Sequence, residues 1–145
     1  MVEKQIGIKA VAQQTGIPET TIRYYDKEGL LPFLKRKESG YRVFDNQSLK
    51  MLQIINCLKD TGMSIKDIKQ YAQWAQEGDS SLEERYELFE RQRSVIQNKM
   101  AKLQDQLDVV NHKCHYYQAA LKAGTEKGLE NDQLPHNTRF ICQEY

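Results

Sequence analysis

The sequence lacks any uninterrupted apolar run as long as the roughly 18 to 20 residues that a membrane-spanning helix needs. The opening residues Met1–Lys4 also lead into no hydrophobic signal-peptide region. These two absences predict a cytoplasmic protein that has no membrane partner.

Cysteine is scarce as well: the chain contains three, Cys57, Cys114 and Cys142. An odd number of scattered cysteines in a reducing compartment does not predict a disulfide framework. We therefore interpret these residues as free thiols that are either packed or reactive.

The residue arrangements that enzymes need are also missing. The sequence shows no paired-carboxylate pocket, no glycine loop that would cradle a phosphate, and no Ser/His/Asp or Cys/His spacing that fits one site. We predict that the protein is not an enzyme and that it binds no cofactor.

The composition favours a small domain joined to an extended element. Hydrophobic residues make up 39% of the 145 residues, which is low for one large core and fits a long exposed helix. The net charge is only +1, but residues 1–50 carry nine Lys or Arg against six acids. A dimer would double this local basic excess, which favours DNA as a partner.

Residues 8–31 predict a helix-turn-helix. The first helix, about Ile8 to Gln14, has apolar residues at helical spacing, and a Thr15-Gly16 turn follows it. Pro18 suits the first position of the second helix, and Gly29 can adopt the left-handed conformation that ends it. A helix this short needs the first helix as a packing partner, so the pair indicates a DNA reader.

The second helix carries side chains that suit a DNA groove. Arg23 offers a guanidinium fork for phosphate or guanine. It stands beside the amphipathic rings of Tyr24 and Tyr25, and at least one of these rings is expected to face outward because adjacent positions lie about 100° apart. Thr20 and Thr21 place short hydroxyls within reach of phosphates or base edges, although Thr20 could instead satisfy the helix start.

A basic loop and a short strand follow the reader. Lys35, Arg36 and Lys37 lie in a polar loop, and the alternating residues 40–44, GYRVF, predict a strand. We interpret the loop as a wing that grips the DNA backbone, with Tyr41 and Arg42 as further backbone contacts.

Two more helices are expected before the longest one. A helix capped by Asp45 or Asn46 runs to about Thr61, and a second helix, capped by Ser64, runs to about Ala75. The first of these presents one apolar face: Met51, Ile54, Ile55 and Leu58.

From residue 82 onward the pattern predicts a coiled coil, opened by a capping box of Ser81 and Glu84. Core positions recur in alternating steps of four and three over about 60 Å of helix. They are Leu82, Tyr86, Phe89, Arg93, Ile96, Met100, Leu103, Leu107, Val110, Cys114, Tyr117 and Leu121. Arg93, the one charged member, either snorkels or fixes the register. The simplest partner of such a helix is a second copy, so the sequence predicts a homodimer.

The helix-turn-helix, the basic wing and the GYRVF strand together resemble the N-terminal domain of the MerR family of transcriptional regulators, over about Gly7 to Ala75. The resemblance implies a mostly α fold, in which a winged helix-turn-helix DNA-binding domain precedes a long coiled-coil dimerisation helix that pairs with an antiparallel copy. It also implies a near-palindromic operator in an overlong promoter spacer, distortion of that DNA on induction, and RNA polymerase as a partner.

The boundaries that we expect divide the chain into four segments. They are a DNA-binding domain at 1–76, a linker and cap at 77–81, a dimerisation helix at 82–121 and a C-terminal tail at 122–145.

One candidate input site lies near the end of the long helix. His112, Cys114 and His115 could bind a metal together with His136 or Cys142. Metal sensors of the MerR family have closely spaced thiolates there, and this sequence departs from that pattern because no second cysteine is near. We therefore predict packed or solvated side chains and no metal.

The other candidate is Cys57, which is followed by TGMSI. This segment is similar to the subgroup of MerR regulators that respond to aldehydes and other thiol-reactive electrophiles (AdhR/NmlR-like). At about 100° per residue Cys57 lies at the rim of its helix's apolar face, where alkylation could repack the joint to the long helix. A packing cysteine, a metal-responsive regulator and a DNA-binding adaptor without a small-molecule input remain the alternatives.

Overall fold

The computed structural model describes residues 4–129 and residue 133. Its strands are β1 (Ile6–Gly7), β2 (Lys35–Arg36) and β3 (Arg42–Phe44), and its helices are α1 (Ile8–Thr15), α2 (Glu19–Lys27), α3 (Asn46–Asp60), α4 (Ile65–Glu77) and α5 (Leu82–Ala123). This architecture confirms the predicted fold class, a mostly α protein in which a winged helix-turn-helix precedes a long helix. The pairing of that helix and the four segment boundaries stay predictions. His136 and Cys142 lie outside the described residues.

Contacts along the chain divide it into two compact units, Met1–Gln92 and Arg93–Tyr145. Helix α5 is 42 residues long and contributes to both. In the second unit the end of α5 is closed by a hydrogen bond of 3.1 Å from the Thr125 amide to the Ala120 carbonyl. Within the part of the chain that the structure describes, no helix is both long enough and apolar enough to cross a membrane.

One apolar core holds the first unit together. Val11 of α1, Ile22 of α2, Phe44 of β3 and Ile68 of α4 are fully buried in it. Leu88 brings the beginning of α5 into the same core. Burying a side chain of this kind contributes about 1.5–3 kcal/mol. Helix α2, strand β3 and the first turns of α5 therefore depend on one another for stability.

Helix α2 ends just before the glycine that the sequence indicated. Gly29 has a φ of +78°, and the Leu30 amide donates to the Tyr25 carbonyl at 2.9 Å. A Cβ at position 29 would meet the Lys69 side chain at 3.2 Å, so both backbone and space favour glycine there. Pro18 is not the first helical residue as predicted: with ψ at 144° it precedes Glu19, where the helix begins.

The three strands form one antiparallel sheet in the order β1-β3-β2. Lys35 pairs with Val43 and Arg36 pairs with Arg42. The prediction that Lys35 and Arg36 lie in a loop is therefore wrong. These two residues form a strand because their backbone pairs with β3, and their own side chains give no sign of that pairing. We define the wing as β2, β3 and the turn between them, residues 35–44.

Helix α3 begins at its predicted cap but buries a different face. The Asp45 carboxylate accepts from the Ser48 amide at 2.7 Å, and this bond together with that from the Ser48 hydroxyl lowers the pKa of Asp45. The fully buried apolar residues are Leu52 and Ile55, whereas Ile54 is 36% exposed. The predicted apolar face is therefore wrong at Ile54, since α3 carries enough apolar residues for two overlapping faces and its neighbours decide which one is buried.

The junction before α5 also differs from the expectation. Residues Gly78–Ser81 form a 3₁₀ turn. The buried Ser81 hydroxyl donates to the carbonyls of Trp74 and Gly78, and the Arg85 side chain donates to the same Gly78 carbonyl at 2.8 Å. The capping box of Ser81 and Glu84 is therefore wrong, because the hydroxyl closes the end of α4 instead of the start of α5.

The two faces of α3 give a direct stability test. We expect Leu52→Ala to lower the free energy of unfolding by about 2–5 kcal/mol, because it leaves a cavity in the core. Ile54→Ala should cost less than about 1 kcal/mol, since its side chain already meets solvent. Urea unfolding of the full-length variants checks this, and equal losses at both positions would contradict the burial described above.

Candidate nucleic-acid interface

Helix α2 presents one polar face to solvent and buries the other. Ile22 and Tyr25 point into the core, and the Tyr25 hydroxyl donates to the Asn56 side-chain oxygen at 2.8 Å. Burial raises the pKa of Tyr25, so this hydroxyl remains a hydrogen-bond donor. Tyr24 is 43% exposed, which resolves the choice between the two adjacent tyrosines: Tyr24 faces outward.

Arg23 lies on the same exposed face of α2. Its guanidinium pairs with Glu19 one turn earlier at 3.0 Å, and the Arg23 and Glu19 side chains are 50% and 34% exposed. An exposed pair of this kind contributes at most about 1 kcal/mol, so the guanidinium can exchange Glu19 for a stronger anion. Thr20 is exposed and Thr21 half-buried at the start of the helix.

The wing carries its basic residues on the outside. Lys35, Arg36, Lys37 and Tyr41 are exposed, and Tyr41 is the most open of them at 73%. The turn is closed by a bond of 2.8 Å from the Gly40 amide to the Lys37 carbonyl, with Gly40 at a φ of +85°. This conformation favours glycine, and it places Lys37 and Tyr41 side by side.

Two wing arginines are tied to α2 by one carboxylate. Asp26 Oδ2 accepts from Arg36 at 2.5 Å and from the Nε of Arg42 at 2.8 Å. Arg36 also donates to the Gly40 carbonyl at 3.1 Å. The sequence did not predict a role for Asp26, because its partners are 10 and 16 residues away and no local pattern joins them.

An open cleft of about 660 Å³ lies between the start of α1, the exposed face of α2 and the wing. Four basic residues, Lys9, Arg23, Lys37 and Arg42, are among its lining residues, and the described residues of the lining include no acid. Sequence reasoning missed Lys9, an exposed residue of α1 that no local pattern marks as a DNA contact. The cleft is suited to a polyanion.

Cys57 is exposed near the end of α3. Its carbonyl accepts from the Thr61 amide at 3.0 Å. The Thr61 hydroxyl in turn accepts from the buried Gln92 side chain of α5 at 2.6 Å. The sequence prediction placed Cys57 at the rim of a core and did not include Gln92, whose role depends on this contact 31 residues away.

The histidine-rich part of α5 does not form a metal site in the described residues. No group of three or more metal-ligating side chains comes together in residues 4–129 and 133. Cys114 and His115 are exposed and His112 is half-buried.

The predicted coiled-coil positions are largely open to solvent in the single chain. Leu103 is 64% exposed and Leu107 49%. We call these twelve positions the α5 stripe, and its other exposed members are Leu82, Tyr86, Arg93, Met100, Val110, Cys114, Tyr117 and Leu121. One further member, Phe89, packs edge-on against Tyr71 of α4, with ring centroids 5.1 Å apart. Ile96 is half-buried.

Known proteins are similar to this chain in sequence. The family model "MerR HTH family regulatory protein" matches residues 7–74, and the model "MerR, DNA binding" matches residues 49–112. An HTH-type transcriptional regulator of Haemophilus influenzae, itself uncharacterized, is 42% identical over 127 residues, which are 88% of this chain and 94% of that protein. The regulator AdhR of Bacillus subtilis is 38% identical over 92 residues, 62% of this chain and 66% of AdhR.

Solved structures share the fold. The crystal structure of HiNmlR, a MerR family regulator lacking the sensor domain and bound to promoter DNA, matches with a TM-score of 0.82 at 40% identity and covers 91% of this chain and 100% of HiNmlR. A MerR family regulator of Bacillus thuringiensis matches with a TM-score of 0.72 at 38% identity, over 77% of this chain and 98% of its own. These matches and the winged helix-turn-helix described above agree: the chain belongs to the MerR family of DNA-binding transcriptional regulators.

Proposed function

We propose that this regulator binds a near-palindromic promoter operator as a homodimer and switches transcription when an aldehyde or another electrophile modifies Cys57. The observation that carries the DNA-binding part is the basic cleft beside the exposed face of α2. HiNmlR, which is 40% identical, is bound to promoter DNA in its crystal structure, and this supports duplex DNA as the ligand of the cleft.

The exposed face of α2 is assigned to the major groove. Arg23 can bind a guanine edge or a phosphate with its planar fork, and Tyr24 can pack against the sugar or a thymine methyl group. Thr20 and Thr21 stand at the start of the helix, where hydroxyls and backbone amides reach phosphates. These contacts supply the sequence-reading part of the interface.

The wing is assigned to the DNA backbone. Lys35, Lys37 and Tyr41 project from it as exposed donors, and Arg42 keeps guanidinium N–H groups beyond the Nε that binds Asp26. Phosphate contacts of this kind fix the position of a protein on the duplex without reading its sequence.

The stripe along α5 supports a homodimer. Leu103, Leu107 and their neighbours expose apolar surface at coiled-coil spacing, and a second copy offers the same surface. Two copies joined in this way would present two α2 helices to the two halves of a near-palindromic operator.

Cys57 is assigned as the sensor. Its exposed thiol can lose its proton and add to the carbonyl carbon of an aldehyde, and the former carbonyl oxygen takes up a proton, so a hemithioacetal forms with no leaving group. The Cys57 carbonyl binds Thr61, which binds Gln92 of α5. A bulky adduct in this last turn of α3 would therefore act on the contact between α3 and α5.

The output step follows from this contact. Bending duplex DNA over an operator costs about 1–6 kcal/mol, so the modified protein must favour the distorted operator by a comparable amount. The operator is expected in an overlong spacer between the two promoter elements that RNA polymerase binds. Distortion of this spacer would realign the two elements, which makes the polymerase the expected partner.

The assignment of Arg23 predicts a loss of affinity for the operator. Arg23→Ala should weaken binding to the promoter duplex upstream of the protein's own coding region by about 10- to 100-fold, because a bidentate base contact contributes about 1–3 kcal/mol. Lys66→Ala removes an exposed positive charge outside the cleft and should change the affinity by less than about threefold. Fluorescence anisotropy at fixed salt measures both, and equal effects of the two variants would refute the assignment.

The assignment of Cys57 predicts a separation of binding from induction. In run-off transcription with methylglyoxal, we expect induction by the wild type and by the control Cys114→Ala, which loses the other exposed thiol of residues 4–129. Cys57→Ala should bind the operator but stay uninduced, because no adduct can form. Induction by Cys57→Ala would remove Cys57 from the mechanism, and no response of any form would favour an adaptor without this input.

A further inference from the structure

Asp26 is an acidic residue on the DNA-reading helix. It follows Arg23 by three positions, which places the two side chains on neighbouring parts of one helix face. Its side chain is only 16% exposed, because two arginines of the wing cover it. A carboxylate near a surface that binds a polyanion weakens that binding by charge alone, so its presence there calls for a different physical role.

The geometry of the two arginines suggests that role. Arg36 and Arg42 are direct partners across the β2–β3 pair, and both donate to the same oxygen of Asp26. Because Arg36 also binds the Gly40 carbonyl, one carboxylate oxygen is linked to both strands and to the turn between them.

Apart from Val43 and Phe44 of β3, which are buried, the wing has little else to hold it. Strand β2 is two residues long and lies at the edge of the sheet. Residues 35–41 are all exposed, so none of their side chains joins the apolar core. Charge-assisted hydrogen bonds are the strong polar contacts of a protein surface, and those of Asp26 join the wing directly to the reading helix.

We propose that Asp26 is a positioning residue that sets the wing against α2, and that Arg36 acts on DNA mainly through this link. The inference rests on the proposed DNA contacts and deepens them: the spacing between the base contacts of α2 and the phosphate contacts of the wing is fixed by one carboxylate.

The sign of an affinity change separates this role from a simple charge effect. Asp26→Asn removes a negative charge, which by electrostatics alone would tighten DNA binding. A positioning role predicts the opposite, a loss of about tenfold, because two charge-assisted bonds become weak or are lost. Glu28→Gln is the matched control: it removes the same charge from an exposed position just past α2 and should leave the affinity unchanged or slightly higher.

A measurement without DNA tests the position of the wing independently. Hydrogen exchange of the backbone amides in residues 35–44 of the full-length protein should become faster in Asp26→Asn and stay unchanged in Glu28→Gln. Asp26→Glu keeps the carboxylate and should restore slow exchange and most of the affinity. If the wild type does not bind the duplex, the proposed function fails, whereas the exchange result still decides whether Asp26 holds the wing.

A double variant tests whether Arg36 acts through Asp26. We expect Asp26→Asn combined with Arg36→Gln to bind at most about threefold more weakly than Asp26→Asn alone, because both changes break the same link and only the general effect of one exposed positive charge remains. Losses that multiply would show that Arg36 binds phosphate independently and would overturn this part of the proposal. Unchanged or tighter binding by Asp26→Asn, with unchanged exchange in the wing, would overturn all of it. If Asp26→Asn does not fold, exchange in Arg36→Gln decides: faster exchange supports the link and unchanged exchange refutes it.

Discussion

The apolar stripe along α5 is the constraint on which the proposed assembly depends. A single helix of 42 residues cannot bury its own stripe, and residues such as Met100 and Leu103 are more than half exposed in one chain. Exposed apolar surface of this extent marks an interaction site. A second copy carries the same pattern and would cover it, and the same pairing would supply the two reading helices that a near-palindromic operator requires.

The start of α5 links this stripe to the DNA-binding part of the molecule. Leu88 enters the apolar core, and Gln92 binds Thr61 at the turn after α3. Helix α2 shares that core through Ile22. The end of α3 is therefore connected to α2 through packed side chains of the core and to α5 through one hydrogen bond. A change at the end of α3 can act on both helices. This arrangement suits a regulator, because interfaces that are closely packed respond to a small local change by switching between discrete states.

Local patterns in the sequence were enough to find the five helices and β3, but not the two-residue strands β1 and β2. Gly29 marks the end of α2, Asp45 caps α3, and the alternation around Val43 marks the strand. The failures concern choices that only tertiary contacts make. Whether α3 buries Leu52 or Ile54 depends on the neighbouring helices, and Ser81 closes α4 because two carbonyls are within its reach. The links from Asp26 and Gln92 to the rest of the first unit span 10 to 31 residues, so no periodicity could indicate them.

Sedimentation equilibrium of the full-length protein without DNA tests the pairing of the stripe, because no duplex is present to bring two protomers together. Pairing of two α5 stripes predicts a dimer for the wild type and for Ala101→Lys, which adds a charge beside the stripe. It predicts dissociation to single protomers for Leu103→Lys, which buries an unpaired charge in the seam. A monomeric wild type, or an intact dimer of Leu103→Lys, would contradict the claim that this stripe joins two copies.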